Sequence, residues 1–327
     1  MPVNADDERR ELVRDALGAR GDAEEHYLRQ ARELRRRRFG DKVYLRAVVE
    51  FANDCANDCL YCGMRRSNAG VVRFQLDDDE IMAAAGRARE MGIRTFFLQS
   101  AEDASFPTAR LAALVRRIAG ELGLGVILCV GAKTRAEFQR LYDAGARKFI
   151  IKHETADAAL FARLKPDLSL PARLGYIRTA REVGFGVGSG TIVGLPGQTL
   201  ESLVDDVMLL ARLGVAMASC SIFIPHADTP LADQPPGDVH LGARVVAAMR
   251  LVLPDALIPA TSTFEKVLPG EGQYLALMAG ANVVTVNLTP EDRKRDYQLY
   301  SDRYFVRLDH ARAVVARAGL AVADEPM

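Results

Sequence analysis

KVYLRAVVEFANDCANDCLYCG, residues 42–63, is an apolar, β-branched run followed by three cysteines within eight residues. Val43–Phe51 predicts a strand, and the polar, cysteine-bearing stretch after it predicts a loop at the strand's carboxyl end. The same rhythm then repeats along the chain. Short apolar runs at Arg94–Gln99, Gly125–Val130, Arg147–Lys152, Gly186–Gly194, Ala216–Ile224, Ala256–Thr261 and Asn282–Asn287 are further strand candidates. Amphipathic segments separate them, such as RLAALVRRIAGELG (110–123) and RAEFQRLYDAGA (135–146), often closed by glycine. Strands alternating with helices make parallel βαβ units. Eight such strands predict an α/β fold, a complete (β/α)8 TIM-type barrel with chemistry at the strands' carboxyl ends. The first forty residues read as helix, so one domain is expected over 1–327: an N-terminal helical extension (1–41), the barrel (42–287) and a C-terminal extension (288–327).

Bulk properties narrow the function. Of 327 residues, 49% are hydrophobic, enough for a large core, and 43 basic residues balance 43 acidic ones. That neutrality gives no field for a nucleic-acid partner. The basic run Arg35–Arg38 follows acidic residues on a helical stretch and reads as a solvated face. No apolar run is long enough to span a bilayer, and the charged N-terminus is unlike a signal peptide, so a cytoplasmic protein with no membrane partner is expected.

The cysteines carry the chemistry. Cys55, Cys59 and Cys62 are spaced C-x3-C-x2-C, and a structural zinc site would want a fourth ligand nearby, which is missing from the sequence. Soft thiolates so close together suit an iron–sulfur cluster or zinc, and a redox thiol remains a further reading. Cys129 and Cys220 each fall inside an apolar strand and read as core.

The motif with Tyr61 at its aromatic position resembles the signature of the radical S-adenosylmethionine (SAM) superfamily. The resemblance implies a [4Fe–4S] cluster with one iron left open for SAM, and reductive cleavage of SAM to a 5′-deoxyadenosyl radical. It extends from about Lys42 to Tyr300: LQSAED, HETAD with LKPD, GSGTIVGLPGQT, FIPHADTPLA, IPATS, AGANVV and YQLY are similar to the HydE family of [FeFe]-hydrogenase maturases, which groups with biotin synthase and the 3-methylornithine synthase PylB. By that resemblance Tyr61, Gln99, Ser100, Glu154, Arg173, Gly190, Ile192 and Met217 bind SAM. Lys152, Thr261, Ser262, Tyr297 and Tyr300 would line a cavity for a small cysteine-derived or organosulfur substrate. An electron donor such as flavodoxin or ferredoxin is implied.

Read without the resemblance, Glu154 and Arg173 are ordinary ion-pair formers, Gly190 serves strand packing, Met217 is core, and His226 shapes a loop. The sequence departs from the HydE pattern at Ala101, at Lys152 in place of an arginine, and at Gly131-Ala132-Lys133. No cysteine follows YQLY, so a single cluster is expected. A PylB-like amino-acid mutase and a non-catalytic metal scaffold stand as alternatives.

Overall fold

The computed structural model describes residues 5–103 and 105–327; residues 1–4 of the N-terminal extension lie outside the described residues. Two helices come first, α1 (Ala5–Gly18) and α2 (Asp22–Phe39), then β1 (Lys42–Ala52), α3 (Asp78–Glu90), β2 (Thr95–Ser100), α4 (Thr108–Leu122) and β3 (Gly125–Cys129). Next are α5 (Arg135–Asp143), β4 (Lys148–Ile150), α6 (Ala158–Leu164), α7 (Leu170–Val183), β5 (Gly186–Val193), α8 (Leu200–Leu213) and β6 (Met217–Ile222). The chain ends with α9 (Val239–Val252), α10 (Ser262–Val267), α11 (Gly272–Met278), β7 (Val283–Asn287), α12 (Glu291–Lys294), α13 (Leu308–Arg317) and β8 (Ala321–Val322).

Local chemistry sets these boundaries. Asp77 with Glu80 and Thr134 with Glu137 form reciprocal capping boxes at the starts of α3 and α5. Gly214 ends α8 in the left-handed region at φ 58°, where a side chain would be strained, and turns the chain into β6.

β1 to β6 and β7 form one parallel sheet in the order β6-β5-β4-β3-β2-β1-β7. The expected closed barrel of eight strands needs correction here. The segment 256–261 makes single bridges only, Leu257 to Met217 on β6 and Pro259 to Val283 on β7. Its ladder cannot lengthen for two reasons. Pro259 has no N–H to donate, and the segment changes partner at Ile258. Leu257 exchanges hydrogen bonds with Ala216 and Ala218, whereas the Ile258 carbonyl already accepts from Asn282 and Val283. The result is a partial barrel whose edge strands are spanned by one extended crossing. Fully buried Arg250 pins that crossing, donating to the carbonyls of Pro254 and Ala256 at 2.8 Å each and to Asn282 Oδ1 at 3.0 Å.

β8 pairs with the start of β1 outside this order. α1 and α2 bury Val13, Ala16, Leu17, Leu28 and Ala31 in the main core against α8 and α9. Arg36, Arg37 and Arg38 are exposed as expected, but Arg35 is buried and donates to the Leu277 carbonyl. No helix among the described residues is long and apolar enough to cross a membrane.

Candidate active site

The carboxyl ends of the strands open into a cavity of about 330 Å³. The sequence candidates, drawn from segments far apart in the chain, meet there with one exception. Gly190 does not line it. A side chain at Gly190 would meet the Ser219 hydroxyl and carbonyl at 2.0 and 2.4 Å, so the missing Cβ is required by the close approach of β6.

The cysteine loop leaves β1 and is held by cations that solvate its carbonyls. Arg73 donates to the carbonyls of Asn53, Met64 and Arg65 at 2.8–2.9 Å, and Arg65 pairs with Asp58 at 2.6 Å. His226 packs its imidazole where a side chain on Gly63 would stand, and its Nδ1 accepts from the Asp228 N–H, in keeping with a loop-shaping role. Cys55, Cys59 and Cys62 line the cavity wall. Burial and the neighbouring Cys59 and Cys55 push the Cys62 thiol up to about 12, and burial raises Cys55 as well. Three thiols crowded on one cavity wall fit a cationic inorganic core that would hold them as thiolates. Among the described residues no three His, Cys, Asp or Glu side chains converge on a single metal ion.

Beside the thiols lies a charged tier. Arg173 is buried, pairs with Glu102 and donates through Nε to the Lys152 carbonyl at 2.8 Å. Burial alone would raise the Glu102 carboxyl, but Arg173 and Lys165 hold it below its usual range. Gly131 makes room for this glutamate: it sits at φ 75°, and a side chain there would meet Glu102 Cγ at 2.6 Å. Glu154 occupies the left-handed region at φ 66°, rare for a residue with a side chain. One of its carboxylate oxygens, Oε2, is buried with no partner among the described residues, while Arg173 and Tyr61 face the same cavity. A buried, unpaired carboxylate oxygen on a strained residue beside the thiols fits a ligand carrying N–H or O–H donors.

A network behind Glu154 holds that conformation. Its N–H donates to the Gly190 carbonyl at 2.9 Å, and its carbonyl accepts from Ile192 N–H and the Thr191 hydroxyl. The Thr191 hydroxyl also lies 2.5 Å from Oδ2 of buried Asp206, whose other oxygen accepts the Ala156 N–H. Burial pushes Asp206 up to about 7 and holds His153 down to about 3. Folded protein therefore keeps the Asp206 proton between its ordinary 3.8 and about 7, where the unfolded chain releases it. This term favours folding in acid and is lost as pH rises through 7. His153 acts oppositely, favouring folding as pH rises toward its ordinary 6.5. Asp206→Asn removes only the first term. Chemical denaturation at several pH values should show the variant gaining stability relative to wild type from about pH 4 to 7, then levelling; a difference independent of pH would refute the assignment.

The far wall carries substrate-type groups. Lys152 Nζ donates to Ser221 Oγ at 3.2 Å, Ser262 and Tyr300 hydroxyls lie 3.2 Å apart, and Gln99 reaches the Tyr297 hydroxyl at 3.4 Å. Thr261 bonds the Cys220 carbonyl at 3.0 Å and Thr263 at 2.9 Å. Met217 lines the same wall, in contact distance of the position a side chain on Gly188 would take.

Sequence reasoning missed several residues. Arg46 and Glu50 lie on the inward face of β1, each two positions from Val48 and four from one another; charged residues at inward positions of an apolar strand were the available signal. Arg46 donates to Thr285 at 2.8 Å and stacks on Phe97. Arg303, which grips Glu50, gave no local signal, and Lys165, which touches Tyr61, lay in the LKPD segment without a role assigned to it. Cys129 corrects the core expectation: strand alternation turns it into the cavity, half-buried, with its thiol raised to about 11 by burial, whereas Cys220 is fully buried.

Comparison with known proteins agrees with this site. The radical SAM superfamily model matches residues 49–210, from β1 into α8. The chain is 39% identical over 298 residues to the [FeFe] hydrogenase maturase subunit HydE of Thermotoga maritima, covering 91% of this chain and 85% of that protein. It is 28% identical to 3-methylornithine synthase of Methanosarcina acetivorans, covering 84% and 77% of the two chains. The crystal structure of methylornithine synthase (PylB) superposes with a TM-score of 0.85 at 25% identity, covering 96% and 94%. With three thiols on the loop after the first strand, a cavity at the strand ends and this likeness over nearly its whole length, the chain belongs to the radical SAM superfamily, enzymes that work with a [4Fe–4S] cluster and SAM.

Proposed function

We propose that this chain is a HydE-type maturase, acting on a small cysteine-derived or organosulfur substrate in assembly of the [FeFe]-hydrogenase active-site cluster. The observation that carries it is the 39% identity to HydE across nine-tenths of the chain, against 28% to 3-methylornithine synthase. Residues 42–287 serve as the catalytic unit, with 1–41 and 288–327 as its N- and C-terminal extensions. Cytoplasmic location and a flavodoxin or ferredoxin as electron donor complete the reading.

In this reading Cys55, Cys59 and Cys62 would hold the cluster, which would supply the electron for reductive cleavage of SAM. Arg173 presents its fork to the SAM carboxylate, and Glu154 Oε2 accepts from the amine or ribose hydroxyls. Tyr61, Gln99, Ser100, Ile192 and Met217 enclose the rest. Gly190 serves indirectly, through the carbonyl that fixes Glu154. Lys152, Thr261, Ser262, Tyr297 and Tyr300 orient the substrate, and Arg46, with no carboxylate within ion-pair distance among the described residues, gives the inner wall a positive charge suited to an anionic group. The enclosing wall keeps water from a reactive carbon radical.

Glu154→Gln tests the SAM arrangement. Loss of a charge-assisted bond is worth about 1.5–3 kcal/mol, so SAM affinity should fall about tenfold or more by calorimetry, with the fold intact. Unchanged affinity would remove Glu154 from the site. The function itself is tested by supplying the anaerobically reconstituted protein to a hydrogenase maturation system lacking HydE. Restored hydrogenase activity is the expected result. The PylB-like reading draws on the superposition with methylornithine synthase and on Lys152 and Ser262 in the cavity, a pair suited to an amino-acid carboxylate. Formation of 3-methylornithine without hydrogenase rescue would establish it, and metal binding without SAM cleavage would leave a scaffold.

A further inference from the structure

Lys165 is 4% exposed and lines the cavity, yet no carboxylate lies within ion-pair distance of it among the described residues. Its Nζ donates to the Tyr61 hydroxyl at 3.2 Å and stands over the rings of Tyr61 and Phe161 at 5.7 and 5.8 Å. The other cations around the cysteine loop are each set against an acid: Arg65 with Asp58, Arg66 with Asp167, Arg73 with Asp54 and Arg173 with Glu102. Lys165 is also fixed to the loop through the backbone, since Leu60 N–H, between the second and third cysteines, donates to the carbonyl of Leu164 at 2.9 Å. Lys165 lines the same cavity wall as Cys55, Cys59 and Cys62.

A buried ammonium needs compensation, and aromatic faces with a phenol oxygen supply only part of it. A fixed positive charge beside a redox centre favours the state with one more electron, strongly where water is excluded. We propose that Lys165 tunes the electron affinity of the cluster held by Cys55, Cys59 and Cys62, raising its reduction potential so that a cellular one-electron donor can reduce it. This rests on the cluster reading above. Tyr61 positions the ammonium: its backbone lies within the cysteine motif, and its hydroxyl and ring receive the charge from the LKPD segment.

The test is a reductive titration of reconstituted protein followed by electron paramagnetic resonance, without SAM, beside iron and sulfide content and SAM affinity. Lys165→Met should lower the equilibrium constant for one-electron reduction about tenfold or more, which is about 59 mV or more for one electron. Lys165→Arg should stay near wild type, because it keeps the charge. Should Lys165→Met fail to take up cluster, Lys165→Gln carries the same test, retaining a donor for Tyr61 without the charge. An unchanged potential in a neutral variant with full cluster overturns the proposal, and a loss of SAM affinity alone would make Lys165 a ligand-binding residue instead. A wild-type protein that takes up no [4Fe–4S] cluster would fail the underlying reading and this inference with it.

Discussion

Cys59→Ala is expected to abolish formation of 5′-deoxyadenosine from SAM while leaving the fold intact. Cys59 is the middle thiol of the loop, and its carbonyl accepts the Cys62 N–H at 3.3 Å. The loop's shape is set elsewhere, by Arg73 on its carbonyls and by the Asp58–Arg65 pair, so truncating one thiol at the cavity wall removes a ligand and little packing. Loss of an outer-shell partner typically costs a metal site 10–100-fold, and loss of a direct thiolate should exceed that. Iron content, charge-transfer absorbance and chromatographic detection of 5′-deoxyadenosine measure the effect, with circular dichroism as the fold control. Cys129→Ala and Cys220→Ala are the internal controls and should retain cluster and cleavage. If Cys59→Ala cleaved SAM while Cys129→Ala did not, the ligand set would be wrong.

Arg303→Ala should be the most destabilising single change at the cavity. Arg303 grips Glu50 with both terminal nitrogens, at 3.1 and 2.5 Å, and donates to the Tyr297 carbonyl at 2.5 Å. Glu50 is 2% exposed, and its carboxylate also accepts from Asn287 Nδ2 at 3.0 Å and the Thr289 hydroxyl at 3.5 Å. Removing the guanidinium leaves a buried carboxylate without its counter-charge, a loss of about 3–5 kcal/mol by analogy with other buried pairs. It also frees the 297–303 segment that brings Tyr297 and Tyr300 over the cavity. Glu50→Leu combined with Arg303→Met should recover much of the stability, since an apolar pair needs no compensation. Urea denaturation of the two single variants and the double measures this coupling, and a loss below about 1 kcal/mol for Arg303→Ala would show the pair to be solvent-screened.

Much of the chain was legible because its signals are local. The alternation of apolar runs with amphipathic helices marked seven strands of the parallel sheet to within a few residues, since strand and helix periodicities are properties of neighbours in sequence. The three cysteines were legible for the same reason, as their chemistry depends on a spacing of a few residues on one loop. The expected strand at 256–261 misled, because its apolar composition is that of a strand while its pairing depends on what lies on either side. β6 offers it one residue, β7 another, and Pro259 has no N–H to extend either.

The sequence by itself determined the βα repeat, the place of the thiol loop after the first strand, and the chemistry those thiols can do. Tertiary structure alone decided which residues meet there: Arg303 with Glu50 across 253 positions, Lys165 with Tyr61 across 104, and Cys129 turned into the cavity instead of the core. It also decided that Gly190 answers to Ser219 on the next strand. The physical reason is that a buried charge or a missing side chain is satisfied by whatever the fold brings within a few ångströms, and sequence order carries no record of that distance.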